Sequence, residues 1–285
     1  MKKIIALTLA LLMMVGALFM FAGCGQNKEL NFGKEYSPVK SQMDVLLQLN
    51  TKSVDVGVMD SIMAGYYMSK DTKYANNLMI VEDLTLATEQ YGIAARKGSG
   101  LAKKINGALI ELAKDGTVNA LAKKYGIESE LCIDKNAKVD ALTQSEQADW
   151  DYIANKGNFI VGYTLFAPIA YEDDNKTLVG FDIELAKAVA AKLGIEVKFE
   201  LIEWSAKEAL LASKSIDCIW NGMTINEERL ASMEISIPYL NNKQVAVIRK
   251  EDKDTYKTTD DMKKAIVSAE EGSAGETCIL KEQAE

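Results

Sequence analysis

The chain has 285 residues, a formal net charge of −8 and no histidine, and 48% of its residues are hydrophobic. This composition suits one large domain or two domains of ordinary size with a buried core, and it excludes a wholly disordered chain. The acidic balance argues against a nucleic-acid partner, because phosphate contacts need clustered lysine and arginine. Without histidine, the commonest general base and metal ligand is missing, and we expect no metal or other cofactor.

The first 23 residues are predicted to form a lipoprotein signal peptide. Two lysines precede an almost uncharged apolar run over residues 4–22, which is followed by Gly23 and Cys24. Small residues before a cysteine resemble a bacterial lipoprotein signal, in which cleavage leaves Cys24 lipidated as the first residue. The alternative is a transmembrane helix, since the run approaches the ~20 residues that span a bilayer. We expect an extracytoplasmic protein that is anchored to the membrane through Cys24.

Short β-branched runs alternate with helical stretches in the rest of the chain. Seven runs predict strands, at residues 54–58, 79–81, 91–94, 159–162, 196–199, 216–220 and 245–248. Apolar stripes predict helices over about 105–112 and 183–193, which end near Gly116 and Gly194. Ser205 stands three residues before Glu208 in the form of a capping box that starts a helix. This alternation predicts an α/β fold with a mainly parallel sheet.

Residues 128–149 break this rhythm. They contain a polar run around Asn136 without clear periodicity, which predicts a linker. Residues 147–158 include Trp150 and Ile153 and suit a short docking helix. Three cysteines besides Cys24 lack C-x-x-C spacing, so free thiols are expected rather than a zinc site. These cysteines are Cys132, Cys218 and Cys278.

Four motifs closely resemble the family 3 extracellular solute-binding proteins, which serve ABC importers of polar amino acids. They are GYTLFAP at 162–168, GFDIELA at 180–186, NGMTINEER at 221–229 and SIPY at 236–239. The resemblance implies a two-lobed, periplasmic-binding-protein-like type II fold with a hinge of two crossovers. The implied function is binding of a free amino acid and its delivery to an ABC permease.

The order of the segments implies circular permutation. In the family, a segment like 272–276 is followed by about half of the second lobe, by the return to the first lobe and by the C-terminus, but here the counterparts of these segments occupy residues 54–127. The alternative is a gene-assembly artefact that joins two unrelated fragments. If the chain is permuted, residues 281–285 should lie close to residues 27–32.

The same resemblance divides the chain into lobes. Lobe 2 comprises residues 28–86 plus 245–285, and lobe 1 comprises residues 91–127 plus 150–239. Residues 128–149 then join the ancestral termini. Crossovers near residues 87–90 and 239–243 would form the hinge. A disulfide between Cys218 and Cys278 would tie the lobes together and hamper their opening.

The carboxylate of an amino acid needs a guanidinium and backbone N–H groups. Arg229 fits this need, one turn into a helix predicted to be capped by Asn226, while Gly222 permits close approach and Thr224 offers an N–H and a hydroxyl. In the family, arginine and threonine at matching positions hold the α-carboxylate. The alternative is a surface arginine paired with a neighbouring glutamate.

The ammonium group needs a carboxylate, and Asp60 follows a valine-rich strand. By resemblance, Asp60 is the α-amino partner from lobe 2, and it is alternatively an N-cap for a helix that begins near Ser61. Because Arg229 and Asp60 belong to opposite lobes, a ligand bound to both would close the cleft.

Phe166 and Trp204 match aromatic positions that sandwich the ligand in the family, and the alternative is core packing. Tyr163 replaces an aspartate of some relatives, which disfavours a lysine or arginine ligand. Glu270 stands where some relatives have a basic or amide side chain, which favours a cationic ligand. The identity of the amino acid therefore stays open. Backbone from a lobe 2 loop is expected to face the ligand at Ser273, Ala274 and Gly275.

Two other functions remain open at this level: a ligand-binding sensory module, and a small-carboxylate dehydratase on the same scaffold. We expect a non-enzymatic monomer. Its partners would be a free L-amino acid, an ABC permease and, through Cys24, the lipid bilayer.

Overall fold

The computed structural model describes residues 29–70 and 72–281. The helices in this part are α1 (Gln42–Asn50), α2 (Ser61–Lys70), α3 (Thr72–Asn77), α4 (Leu101–Lys114), α5 (Thr117–Tyr125), α6 (Gln144–Lys156), α7 (Phe181–Leu193), α8 (Lys207–Ala212), α9 (Glu227–Ser232) and α10 (Ala274–Ile279). The strands are β1 (Glu35–Val39), β2 (Val56–Asp60), β3 (Leu78–Arg96), β4 (Asn158–Tyr163), β5 (Tyr171–Glu172), β6 (Leu178–Val179), β7 (Glu196–Leu201), β8 (Cys218–Thr224), β9 (Met233–Ile235), β10 (Leu240–Arg249) and β11 (Ile266–Glu270). The predicted α/β class is confirmed, but the prediction of a mainly parallel sheet is wrong. The sheet is mixed, because β10 runs antiparallel to β2 and β3, and β3 runs antiparallel to β8 and β9.

A mixed sheet organises these elements. Its strand order is β1-β11-β2-β10-β3-β8-β4-β7, and β9 pairs with β3 outside this path. Strands β1, β11 and β2 are mutually parallel at one end, and β8, β4 and β7 are mutually parallel at the other. Between them, β10 runs antiparallel to both β2 and β3. Strands β5 and β6 form a separate small ribbon.

Strand β3 corrects the prediction of two separate strands at 79–81 and 91–94. It is continuous over 19 residues, because β10 pairs with it from Tyr91 down to Leu78. Shifts in register on either side of Val245 accommodate the extra residues of β3. The segments predicted as crossovers pair with each other, since residues 240–243 lie opposite residues 88–91.

The β3–β10 pair divides the sheet into two sides. We call residues 29–86 and 245–281 the β2 side, and residues 91–127 and 150–239 the β8 side. One hydrophobic cluster, which includes Val56 and Val267, lies wholly on the β2 side. A second, around Ile219, lies wholly on the β8 side. The largest cluster extends across both, so burial of apolar surface also holds the two sides together.

Two local predictions are confirmed and one is wrong. Helix α7 ends at Gly194, which has a left-handed φ of 71°. Asn226 caps α9, and its side chain accepts a hydrogen bond from the Arg229 N–H. Ser205, predicted to start a helix, instead lies inside a 3₁₀ turn, and α8 begins at Lys207 without a side-chain cap.

Helix α6 begins at Gln144, inside the predicted linker. The Thr143 hydroxyl accepts from the Glu146 N–H, and the Glu146 carboxylate accepts from the Thr143 N–H. This reciprocal capping box fixes the start of the helix. Upstream, residues 131–143 contain no helix or longer strand, only a bridge from Leu131 to Leu240.

The two ends of the described chain lie together. Leu30 and Leu280 form an antiparallel bridge, and the Lys281 ammonium is 2.9 Å from the Glu29 carboxylate. The predicted signal peptide and Cys24 lie outside the described residues. Among the helices that are described, none has the length and apolar character needed to cross a bilayer.

Candidate functional site

A small cavity lies between the β2 side and the β8 side. Its volume is about 20 Å³, which is room for about one water molecule, so a larger ligand requires its walls to move apart. Nine predicted site residues line it: Asp60, Phe166, Trp204, Gly222, Thr224, Arg229, Glu270, Ser273 and Ala274. Five lining residues were not predicted: Gln42, Thr164, Leu165, Asn221 and Gln244.

Arg229 provides the positive charge on the β8 side. Its side chain is 6% exposed, and burial lowers the pKa of its guanidinium. Nη1 donates to the Thr224 carbonyl at 2.8 Å, and Nη2 donates to the Gly272 carbonyl at 3.3 Å. Within the described residues, no carboxylate lies within 4.0 Å of it. The alternative of a surface ion pair is therefore wrong.

Asp60 provides a carboxylate on the β2 side, at the end of β2. Its Oδ1 accepts from the Tyr91 hydroxyl at 2.7 Å and from the amide groups of Asn242 and Gln244, and Oδ2 accepts from Gln42. Burial, followed by the Glu89 carboxylate, raises the pKa of Asp60. Asp60 is thus held in place by a dense set of donors.

The helix-cap alternative for Asp60 is not what the structure contains. The Asn242 side-chain oxygen accepts from the Ile62 N–H at 3.3 Å and from the Ser61 hydroxyl at 3.0 Å. Asn242 therefore accepts hydrogen bonds from the first turn of α2, and its amide nitrogen also donates to Asp60. A residue that is distant in sequence thereby links the start of α2 to the site.

Glu270 ends β11, which runs parallel to β2, so the two acids lie at the same edge of the sheet. Glu270 is 4% exposed, and its Oε1 has no hydrogen-bond partner among the described residues. Burial, and then the nearby Asp60, raises the pKa of Glu270 to about 8.

Trp204 and Lys207 flank the cavity on the β8 side. The Lys207 ammonium lies 4.8 Å from the centre of the Trp204 ring and donates to the Gly272 carbonyl at 3.1 Å. Burial, and then the neighbouring Arg229, lowers the pKa of Lys207 to about 8. Phe166 packs edge-on against Tyr91, with ring centres 6.5 Å apart. Phe166 and Trp204 are both buried and both line the cavity. Each residue therefore packs in the core and also forms part of the cavity wall.

Gly222 shapes the wall below Phe166. Its φ is +62°, and a Cβ there would lie 2.6 Å from the Phe166 ring and 3.0 Å from the Tyr91 ring. Its N–H donates to the Asp182 carboxylate at 3.0 Å. Burial raises the pKa of Asp182 to about 7, and the Tyr239 hydroxyl also donates to it.

Direct contacts join the two sides around the cavity. The Gly272 carbonyl of the β2 side accepts from both Arg229 and Lys207. At the rim, the Lys40 ammonium is 3.1 Å from the Glu203 carboxylate. Elsewhere on the rim, Tyr66 and Tyr171 have ring centres 6.0 Å apart. The structure is therefore a closed arrangement of the two sides.

Tyr163 and Gly275 are predicted site residues that do not line the cavity. Tyr163 packs edge-on against Phe199, with ring centres 6.2 Å apart. Gly275 is not among the lining residues, and a Cβ there would come within 3.1 Å of the side-chain oxygen of Gln244, which does line the cavity. The thiols of Cys132, Cys218 and Cys278 are free. Among the described residues, no group of acidic or cysteine side chains is arranged to hold a metal ion.

The missed residues fall into two groups. Thr164, Leu165 and Asn221 lie inside the motifs GYTLFAP and NGMTINEER, so the motifs themselves could have indicated them. Gln42 and Gln244 belong to no recognised motif. They reach the site because α1 and β10 pack beside Asp60, a contact set by the tertiary fold.

These features define an α/β protein with a charged, nearly closed cleft. Residues 159–273 match the family described as bacterial extracellular solute-binding proteins, family 3. The resemblance predicted from the sequence is thus confirmed for that segment.

Individual proteins are similar to this chain over part of its length. The L-cystine-binding protein TcyJ of Escherichia coli strain K12 is 33% identical over 112 residues, which are 39% of this chain and 42% of that protein. The ABC transporter arginine-binding protein 1 of the same strain is 32% identical over 132 residues, or 46% of this chain and 53% of that protein. The chain thus spans about half the length of these relatives or less.

A solved structure, arginine-bound domain 1 of TmArgBP, is 37% identical, covers 36% of this chain and 89% of that domain, and has a TM-score of 0.31.

Replacing Gly222 with alanine should damage the site and the fold together. The positive φ and the contact with Phe166 should lower the free energy of unfolding by about 1–3 kcal/mol. Gly107→Ala is the matched control, because nothing lies within 4 Å of its Cβ position in α4, and it should leave stability unchanged or raise it by up to about 1 kcal/mol. Urea unfolding measures both, and equal effects would contradict this role of Gly222.

Proposed function

We propose that this protein binds a free amino acid in the cavity between its two sides and delivers it to an ABC importer. One observation carries the proposal: a buried arginine without a carboxylate partner among the described residues faces buried acids across the cavity. Buried charges are normally paired. A zwitterion supplies a carboxylate for Arg229 and an ammonium for the acids of the opposite wall, so its two charged groups match the two walls.

The β2 side and the β8 side are the proposed lobes 2 and 1. Their boundaries follow the division predicted from the sequence, and β3 with β10 forms the hinge. The contacts of Gly272 with Arg229 and Lys207, together with the rim pair Lys40–Glu203, form only when the lobes approach. A ligand that binds Arg229 and the opposite acids would draw the lobes together around itself, in an arrangement wider at the cavity than the present one.

The functions of these relatives support the transport role. Those proteins bind L-cystine or arginine, and the second is part of an ABC transporter by its name. We extend to this chain only the class, a free amino acid, and the partner, an ABC permease. The protein would act as an extracytoplasmic monomer that is not an enzyme.

A dehydratase is the second candidate, and one observation favours testing it. Burial raises the pKa of both Asp60 and Glu270, and acids with raised pKa values are common in catalytic sites. A binding site explains the same burial without a reaction. Formation of product from the incubated ligand would favour the enzyme over the binding protein.

Replacing Arg229 with methionine should separate function from stability. Affinity for the amino acid should fall by at least about 100-fold, because charge-assisted bonds to the carboxylate are lost. Stability of the free protein should change by less than about 1 kcal/mol, since an unpaired buried charge disappears with the bonds it made. Calorimetry, thermal melting and product analysis of the same incubations measure these outcomes.

Arg96→Met is the matched control for a buried arginine. Arg96 lies 3.3 Å from both Asp149 and Asp217, so its loss should cost about 3 kcal/mol or more by leaving buried acids uncompensated. Undiminished binding by the Arg229 variant would refute the proposed site.

We also propose that the chain is circularly permuted. Glu29 and Leu30 lie against Leu280 and Lys281, as the permuted order requires, and the segment between α5 and α6 connects two helices of the β8 side. These contacts support permutation over the joining of unrelated fragments.

Restoring the ancestral order tests the permutation. A chain that starts at residue 144 and continues from residue 285 through a short linker into residues 28–127 should fold to a monomer with affinity within about tenfold of the original. Circular dichroism and calorimetry measure this. A rearranged chain that stays unfolded would count against permutation.

A lipid anchor on Cys24 is proposed from the sequence pattern alone. Cys24→Ala should abolish incorporation of radiolabelled palmitate, because the acceptor thiol is lost. Cys132→Ala, which changes another cysteine, should retain the label. Continued labelling of the Cys24 variant would contradict the anchor.

A further inference from the structure

We propose that the bound amino acid has a positively charged side chain and that Glu270 binds this charge. The inference rests on the proposed function of amino-acid binding and names the ligand class of the same site. It depends on which acceptors around the cavity are already occupied by the protein and which are not.

Asp60 is largely occupied by the protein itself. Three donors, from Tyr91, Asn242 and Gln244, converge on Oδ1, and Gln42 donates to Oδ2. Each oxygen of a carboxylate has about two acceptor positions, and Oδ2 receives only the one donor from Gln42. One position on Oδ2 therefore remains for a ligand, which is enough for one N–H of an α-ammonium group.

Three other buried oxygens on the cavity wall have no donor among the described residues. They are Oε1 of Glu270, the side-chain oxygen of Gln244 and the side-chain oxygen of Asn221. These side chains are 4%, 1% and 3% exposed, respectively. Leaving such groups buried without partners is unfavourable, so a bound ligand gains affinity by supplying N–H donors to them.

An α-ammonium group cannot satisfy all of these acceptors. It carries three N–H donors, whereas Asp60, Gln244, Asn221 and Glu270 each offer a position. A ligand with a single ammonium also brings one positive charge to two buried acids. A second cationic group, on the side chain of the ligand, supplies the missing donors and the missing charge.

Protein cations do not already neutralise Glu270. Among the described residues, no lysine or arginine nitrogen lies within 4.0 Å of its carboxylate. Lys207 of α8 is near enough to lower the pKa of Glu270, while Asp60 of β2 and Asp44 of α1 raise it. Lys207 itself donates to the Gly272 carbonyl. Glu270 is thus the acid on the wall that is left for the ligand.

Tyr163 gives no argument against a cationic ligand. Its counterpart in some relatives is an aspartate, but here Tyr163 packs on Phe199 and lies outside the residues that line the cavity.

Two ligand pairs that differ in charge at nearly constant shape test the proposal: L-arginine against L-citrulline, and L-lysine against L-norleucine. Calorimetry on the full chain should show that at least one cationic member binds about 100-fold more tightly than its neutral counterpart, as expected for a buried charge pair. Glu270→Gln should reduce this preference to less than tenfold. Glu271→Gln, an adjacent acid that is half exposed and lies 3.6 Å from Lys40, should preserve it.

The outcomes are distinguishable. If neutral and cationic members bind equally well to the original protein, the proposal fails while amino-acid binding stands. If none of the twenty L-amino acids binds, the proposed function itself fails. If Glu270→Gln weakens every ligand equally, Glu270 has only a structural role. If that variant does not fold, the arginine-to-citrulline ratio of the original protein still decides the ligand class.

Discussion

The antiparallel pairing of β3 with β10 is the constraint on which the rest of the structure depends. Both strands run past the cavity and belong in part to each side of the sheet. The parallel strands on either flank therefore end facing a common gap. Since the carboxyl ends of parallel strands are natural sites for ligands, the gap receives Asp60 and Glu270 from one side and the end of β8 from the other. Small changes in the backbone dihedral angles of these two strands would also be enough to open and close the gap.

Positively charged side chains lie on one side of this gap, and acidic side chains lie on the other. The β8 side provides Arg229 and Lys207, and the β2 side provides Asp60 and Glu270. Desolvation lowers the pKa of both cations and raises the pKa of both acids, so each wall is held in an electrostatically unfavourable state. Opposite charges on a ligand relieve both walls at once. Under the proposed function, this coupling rather than buried area is what would let a small solute favour a closed form.

Some of this arrangement was predictable from sequence and some was not. Local signals fixed the end of α7 at Gly194 and the cap of α9 at Asn226, and a family motif indicated Arg229. Ser205 had the same type of cap signal, but a 3₁₀ turn replaced the helix start. β3 was predicted in two pieces because its middle gains strand structure only from β10. Gln42 and Gln244 carry no local signal, since their place beside Asp60 results from packing between distant segments.

Asp60 and Glu270 show why residue type alone does not define a binding role. Both are buried acids at the ends of neighbouring parallel strands, but only Asp60 is surrounded by donors of the protein. Those donors orient its carboxylate in advance, which lowers the entropy lost when an ammonium binds. Oε1 of Glu270 has no such donor among the described residues. The stability of its carboxylate in the buried site therefore depends on the ligand that enters the cavity. An acceptor that is satisfied only by the ligand discriminates against molecules without the matching donor, and under the proposed function specificity therefore resides in the less supported acid.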